Sequence, residues 1–489
     1  MTAEPTPVPQ PARASVSYNA WLLGVGTIAA RVAMFGLGIV LARFLGPEGY
    51  GTYSLALAIG FVLQPIADLG LTPYLARETA RSRAATEAAL PTIMAAKTAM
   101  IGLTYVVTLV ITAVFVDDSE LLAVIAVLVF SVLIDGYSGL GFAYFQGREV
   151  MAFEAKLTAT MAIVRALGSI ALAVAFERLE PVVAWTLLTA LLQAGLTLRR
   201  LGGAIDGRHP LRPRRRSAPV HWRSVAAMGL MAIFVTAYLR IDSVLLGVLV
   251  DEAAVGIYAA AYTLMMGAQI APTMLATALT PVFARTHERD PGQFERSWHD
   301  GVQGALLIAL PVALVTSLLA GPIIARFYGA EFAESAEVLA IIIWICPLGA
   351  LSLVAQAVLR GARREALLTS VSGACAVLNL LANLWAIPRY GVLGASWVTV
   401  GTEVLNVLVL AGIVIRLGLV PRPIFPWLRA GLALSALAAV AIVLGDVLVE
   451  LAVAAGLAAY AAVLIATGAT GGFERAVLAR VRRAGRERP

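Results

Sequence analysis

Charge is scarce in this sequence. Asp, Glu, Lys and Arg make up 14% of the residues against 60% hydrophobic ones, and the mean hydropathy is +0.85, which excludes a soluble globular domain. Cysteine is nearly absent. Cys346 and Cys375 are the only two and both fall inside apolar runs, so neither a disulfide framework nor a thiolate metal site is suggested, and packing is their expected role. The four histidines, His209, His221, His287 and His299, lie in polar connections without metal-ligand spacing. No Walker-type loop and no GxSxG elbow occurs, which argues against ATP-driven work or acyl chemistry by this chain alone. Before the first apolar run there is neither a basic n-region nor a small-residue cleavage site, so the first helix is expected to be retained.

What fills the 489 residues is a succession of apolar runs, each long enough at ~1.5 Å per residue to cross ~30 Å of hydrocarbon. They cover approximately 18–42, 51–71, 90–116, 119–145, 151–176, 181–198, 222–250, 254–284, 300–327, 333–359, 366–388, 391–415, 426–447 and 449–470. The expectation is an all-α integral membrane protein of about fourteen helices. A disordered tail (1–17) precedes a first lobe of six spans (18–198), a basic linker (199–221), a second lobe of six (222–415), two further spans (416–470) and a basic tail (471–489).

Arginine orients it. Of the 37 Lys and Arg residues, 29 fall on one set of alternating connections, and only Arg43, Arg178, Arg326 and Arg389 on the other, which carries acidic turns such as Asp117-Asp118-Ser119-Glu120. The positive-inside rule therefore predicts both termini in the cytoplasm of a cell-membrane protein. The run Arg212-Pro213-Arg214-Arg215-Arg216 sits on one of these loops, where it reads as topology and contact with anionic membrane lipids; no nucleic-acid partner is implied.

The chain repeats itself. Gly51-Thr52-Tyr53 opens the second span and Gly256-Ile257-Tyr258 the eighth, an offset of 205 that also carries Gln64 onto Gln269. Because both halves start from the same side, the repeats are parallel. Pro65 and Pro272 fall at nearly matching depths, and paired proline breaks mark them as candidate hinges.

Four cations remain inside the spans: Arg31, Lys97, Arg165 and Arg240. An ionised side chain there costs roughly 2.5–3.5 kcal/mol, so each must face a wet cavity or an acidic partner. Three belong to the first lobe, whose interior would be positive and suited to an anionic group; arginine in particular grips phosphate oxygens with two parallel hydrogen bonds. Pairing with a buried acid such as Asp68, Asp135, Asp242 or Glu403 is the alternative. In the second lobe Asp242, Asn379, Asn383 and Thr399 share a depth, with Asn379 and Asn383 on one helix face, and their oxygens would suit Na⁺. Glu403 is a candidate proton carrier. Apart from Na⁺ or H⁺ as a coupling ion, no cofactor is expected.

Three segments then point to a family: Leu41-Ala42-Arg43-Phe44-Leu45-Gly46-Pro47-Glu48-Gly49-Tyr50-Gly51, Arg240-Ile241-Asp242 with Val255-Gly256-Ile257-Tyr258, and Ile387-Pro388-Arg389-Tyr390-Gly391-Val392-Leu393-Gly394-Ala395. They resemble the polysaccharide biosynthesis flippases of Wzx type in the multidrug/oligosaccharidyl-lipid/polysaccharide (MOP) exporter superfamily. The resemblance implies paired six-helix bundles that move a polyprenyl-pyrophosphate-linked oligosaccharide from the cytoplasmic to the outer leaflet by alternating access. For such a substrate the in-span cations Arg31, Lys97, Arg165 and Arg240 are the expected ligands of the pyrophosphate, and polysaccharide polymerases or glycosyltransferases are the expected partner classes.

Two other functions stay open. A multidrug exporter of the same superfamily takes mostly organic cations, which call for an acidic lumen. A membrane glycosyltransferase or ligase needs acids, bases or metal ligands on a sizeable outward loop, and the outward connections are short. A non-enzyme is therefore expected.

Overall fold

The computed structural model describes residues 13–205, 219–287, 289–419, 427–445 and 449–468. The expected tail over 1–17 lies mostly outside these residues, as does the heart of the basic linker; the tail over 471–489 lies outside them entirely. Among the described residues the structure is helical throughout, as the bilayer requires: backbone groups without water must bond within their own segment.

Among the described residues sixteen α-helices follow one another: α1 (Arg13–Asp68), α2 (Leu71–Arg81), α3 (Arg83–Phe115), α4 (Ser119–Gly147), α5 (Ala152–Phe176), α6 (Leu179–Ala204), α7 (Trp222–Leu249), α8 (Glu252–Ala268), α9 (Ile270–Thr286), α10 (Pro291–Leu318), α11 (Ala320–Phe327), α12 (Ser335–Ile342), α13 (Ile345–Gly361), α14 (Glu365–Arg416), α15 (Trp427–Leu444) and α16 (Val449–Thr467). Ten spans among the described residues are long and apolar enough to cross a membrane, eleven with the bent pair α8–α9. Two of them, α1 and α14, double back, and the shorter apolar α15 is added to these, giving the fourteen crossings expected.

The doubling back explains two family motifs. In Gly46-Pro47 the glycine has φ +68°, and in Tyr390-Gly391 the glycine has φ +54°; each is the one non-helical residue between two antiparallel legs. Only glycine enters that region without strain, and Pro47 then starts the next leg with its φ already set. Gly38 on the first leg of α1 would bring a Cβ to 3.2 Å from the Tyr50 hydroxyl on the second, a measure of how closely the legs lie.

α1 ends at a second corner, Leu69 (φ 49°) and Gly70 (φ 86°), after which Asp68 accepts the Thr72 amide at 3.1 Å and the Thr72 hydroxyl at 2.6 Å and so caps α2. α2 does not span. Its buried face is Leu71, Tyr74 and Leu75, packed with Leu90, Ile93 and Met94 of α3 and Leu140 and Tyr144 of α4, while Arg81 is exposed.

The described chain forms two compact units. The first contains the residues up to Leu37 and Ala56–Thr236; the second contains Gly38–Leu55 and the chain from Ala237 onward. Relative to the expected lobes, each unit takes in a segment of the opposite half. In the first unit Gly70 abuts the Val225 carbonyl and Gly229 at the start of α7. In the second, Gly51 faces the Glu252 carbonyl and Gly256 faces the Pro47 carbonyl, so closely that an added Cβ would stand 1.7 Å and 2.0 Å from those oxygens. The repeat offset carries position 47 onto 252 and 51 onto 256. Equivalent residues therefore meet each other, and the internal repeat is visible as a self-matching contact.

That contact has room for hydrogen only. Gly51→Ala or Gly256→Ala is expected to force the backbones apart and to destabilise the protein by about 1–3 kcal/mol, the usual range for overpacking. A drop in the detergent-solubilised melting temperature checks it, with Gly36→Ala, a site with open space around it, as the neutral control.

The two prolines differ. Pro272 bends its span: α8 and α9 meet at 45° around Gln269. Having no N–H, Pro272 leaves the Ala268 carbonyl without its helical donor, and the Cys346 thiol supplies one at 3.6 Å, while the Gln269 amide donates to the Ile345 carbonyl. Cys346 is thus more than a packing residue. Pro65, in contrast, does not interrupt its helix. It lies one turn from the end, its carbonyl accepts the Leu69 amide at 2.9 Å, and the break in that half falls at Leu69 and Gly70 instead.

Candidate functional site

In the first unit the three buried-span cations meet three different fates. Lys97 on α3 is 1% exposed and donates to Asp68 at 2.7 Å. Its ammonium fits under Gly136 of α4, where a Cβ would come within 2.9 Å of Nζ. Asp68 serves two purposes at once, since the oxygen that holds Lys97 also holds the Thr72 hydroxyl and the other oxygen takes the Thr72 amide.

Arg165 on α5 is only half withdrawn. Its Nη2 donates to Asp135 of α4 at 3.2 Å and its Nε to the Thr189 hydroxyl of α6 at 3.0 Å. Thr189 is oriented for this because its own proton goes to the Thr186 carbonyl at 2.9 Å. Gly168, one turn away, leaves space for the Trp185 ring, whose Nε1 donates to the Val164 carbonyl and ties α6 to α5 beside the arginine. The guanidinium keeps 17% of its side chain accessible, and its Nη1 is not used by these contacts.

Arg31 is exposed, and among the described residues its side chain makes no ion pair. Gly26, five residues earlier, packs against the Ala155 carbonyl at the start of α5. α1 and α5 leave that contact in the same direction, so Arg31 stands ~7.5 Å and Arg165 ~15 Å beyond it by helical rise. The two arginines are thus offset by about 7.5 Å along the two helices.

The second unit holds a buried polar cluster built from α7, α8, α13 and α14. Asp242 is 3% exposed and accepts the Tyr258 hydroxyl at 2.5 Å, the Ser243 amide at 2.8 Å and the Thr399 hydroxyl at 3.5 Å. Glu403 accepts from Tyr238 at 2.7 Å, from Ser352, and from the Asn406 amide at 3.4 Å. Asn379 donates to Thr402 at 3.1 Å and Asn383 to Asn379 at 3.0 Å, and the Asn383 Oδ1 is buried with no hydrogen-bond partner among the described residues. Arg240 lies over the Tyr262 ring at 5.5 Å, and Tyr262 stacks on Tyr258.

Thus the structure joins Asp242 to Thr399 and Asn379 to Asn383, and gives Glu403 its own set of donors. Sequence reasoning missed Tyr238, Tyr258, Tyr262, Ser352, Thr402 and Asn406. A signal for most of them was present: Tyr238 and Asp242, Tyr258 and Tyr262, Thr399 and Glu403, and Thr402 and Asn406 are all polar pairs at i, i+4 inside apolar helices. A separate open pocket of about 720 Å³ adjoins the Gly391 corner, lined among others by Asp251, Glu334, Glu337 and Tyr390. Its carboxylates give it the wrong sign for a phosphate.

Residues 40–337 match the family model described as polysaccharide biosynthesis protein. No curated protein sequence matches the chain. Among solved structures, the lipid II flippase MurJ in an inward closed conformation superimposes with a TM-score of 0.74 at 12% identity, over 94% of this chain and 99% of that one. An inward-facing multidrug resistance MATE family transporter of the MOP superfamily follows with 0.60 and 14%, covering 80% and 95%. A MOP superfamily transporter from Pyrococcus furiosus, described by the reverse polarity of its binding pocket, gives 0.55 and 15%, covering 83% and 96%. The chain belongs to the polysaccharide biosynthesis protein family, and its helices follow the fold of the MOP superfamily transporters.

Proposed function

We propose that the protein is a flippase that carries a polyprenyl-pyrophosphate-linked oligosaccharide from the cytoplasmic to the outer leaflet of the cell membrane, for the assembly of a cell-surface polysaccharide. The observation that carries this reading is the pair of arginines in the first unit: Arg31, exposed and without an ion-pair partner among the described residues, and Arg165, whose Nη1 is left over by its contacts to Asp135 and Thr189. A cation on a membrane-spanning helix is tolerated where it meets water or an anion, and two guanidinium groups suit the oxygens of a pyrophosphate. Lys97 joins them only if Asp68 releases it, and Arg240 lies in the other unit against Tyr262.

The MurJ likeness, through a protein named for a lipid-linked substrate, agrees with this reading, while the MATE likeness leaves drug export as its rival. Asp242 and Glu403, the acids that could attract an organic cation, are 3% and 6% exposed and already hold several donors each, which leaves no room for a bulky ligand. The test is transbilayer movement in proteoliposomes of a fluorescent polyprenyl-pyrophosphate oligosaccharide set beside efflux of a lipophilic organic cation. Movement of the glycolipid alone supports the flippase; efflux of the cation alone replaces it with the exporter.

The polar cluster of the second unit supports a coupling ion. One carboxylate, two amide oxygens and a hydroxyl suit a small hard cation rather than a transition metal, and the buried, unpartnered Asn383 Oδ1 is an acceptor lacking a donor. Asp242, Asn379, Asn383 and Thr399 would hold Na⁺, which would supply the gradient energy; Glu403 would be the carrier if protons drive transport. Saturating NaCl in place of choline chloride is expected to raise the melting temperature by several degrees in the wild type and not in Asp242→Asn. An equal response in both would remove Na⁺ from this cluster.

A further inference from the structure

The first unit contains two acid–base pairs of opposite design within its spans. In the Lys97–Asp68 pair the distance is 2.7 Å, the lysine is 1% exposed, and both carboxylate oxygens are occupied, one by Lys97 and the Thr72 hydroxyl, the other by the Thr72 amide. That pair is closed. The Arg165–Asp135 pair is longer, at 3.2 Å, and its side chains are 17% and 26% exposed. Only Oδ2 of Asp135 meets the guanidinium; Oδ1 is buried and has no hydrogen-bond partner among the described residues. Half of the carboxylate and more than half of the guanidinium's donors are left over.

A carboxylate that accepts a single hydrogen bond keeps its charge concentrated, and at this separation it cancels most of the field of Arg165. It occupies the arginine as a phosphate oxygen would, but less well than a carboxylate fitted side-on to both edge nitrogens. Thr189 meanwhile fixes the guanidinium plane independently of Asp135, because its hydroxyl proton is already committed to the Thr186 carbonyl. The arginine therefore stays aimed when the acid leaves. A donor for the displaced acid stands nearby: Ser138, one turn along α4 on the same face, is 1% exposed and its hydroxyl has no partner among the described residues.

Resting on the reading of Arg31 and Arg165 as headgroup ligands, we infer that Asp135 is a resident counter-anion, a positioning residue that holds Arg165 between cycles, yields it to the arriving pyrophosphate and takes it back as the headgroup leaves. Binding by exchange is weaker than binding to a bare cation, and that weakness is what allows release. A carrier that held the headgroup with the full charge of both arginines would fill easily and empty slowly.

The test is the concentration dependence of flipping in proteoliposomes of a fluorescent polyprenyl-pyrophosphate oligosaccharide, for wild type, Asp135→Asn, Asp135→Glu, Arg165→Ala and the double variant Asp135→Asn/Arg165→Ala. Asp135→Asn is expected to lower the half-saturating concentration about tenfold or more while lowering the maximal rate, since a unit charge beside the site is gone. Asp135→Glu should behave as wild type, and in the Arg165→Ala background Asp135→Asn should leave half-saturation unmoved. A rise in half-saturation in Asp135→Asn, or no change, overturns the exchange role. Half-saturation unaffected by Arg165→Ala and by Arg31→Ala overturns instead the headgroup reading beneath it. Should Asp135→Asn not be recovered as a monodisperse protein, Ser138→Ala leaves the pair intact but withdraws the donor for the displaced acid. It is expected to raise half-saturation, and no change overturns the exchange role.

Discussion

Replacing Arg31 and Arg165 together by alanine is expected to reduce flipping of a polyprenyl-pyrophosphate oligosaccharide by roughly 10²- to 10⁴-fold, since each charge-assisted hydrogen bond to the headgroup contributes about 1.5–3 kcal/mol. The single variants should differ. Arg31 bears no ion pair among the described residues, so Arg31→Ala removes an exposed cation and leaves no orphaned acid there. Arg165→Ala takes the only side-chain hydrogen bond that Asp135 makes among the described residues, so part of its effect is on stability. Arg165→Lys separates the two contributions: a lysine restores the charge beside Asp135 but cannot donate to Thr189 and a phosphate at once from a planar fork. Stability recovered without transport is the expected outcome for that variant. Wild-type flipping rates in the double variant, at equal protein incorporation, would end the headgroup role of both residues.

The second large effect is one of stability. Asp68→Asn is expected to cost about 3–5 kcal/mol, because it leaves the Lys97 ammonium buried with no counter-charge. The same substitution keeps one oxygen for the Thr72 amide, so most of the loss reports the ion pair rather than the α2 cap. Replacing both partners, as in Asp68→Asn with Lys97→Met, is expected to recover most of it, since an uncharged chain of similar length fits beneath Gly136 without needing a partner. Thermal unfolding in detergent, followed for the single and double variants, checks the order: Asp68→Asn lowest, the double variant near wild type.

The sequence was read correctly where a single local rule decides. Runs such as 119–145 could be nothing but bilayer-spanning helices, and α4 duly occupies Ser119–Gly147 with Asp118 accepting the Glu120 amide at its start. The fourteen crossings and the repeat at Gly51 and Gly256 were legible for the same reason. The cations were legible as costly, but their partners were not. Lys97 and Asp68 are 29 residues apart, and which acid a buried cation meets is decided by helix rotation, on which hydropathy is silent. The same gap hid Ser352 and Tyr238 around Glu403, whose hydroxyls look like ordinary helix-interior residues until three helices converge on one carboxylate. Pro65 shows the limit of a residue-type rule: a proline near a helix end removes a donor that the next corner would have freed anyway.

The meeting of Gly51 with Gly256 says something about how such a chain can be built. A contact in which each position touches its own counterpart does not require two different surfaces; one surface, twice present, is enough, as in any dimer with a twofold axis. A polypeptide carrying a single half would already possess its own mate. Joining the two copies end to end frees each to diverge, and the divergence is visible here: the first half carries Arg31 and Arg165, the second the cluster of Asp242, Asn379 and Asn383, while the glycine seam, where no side chain fits, remains common to both.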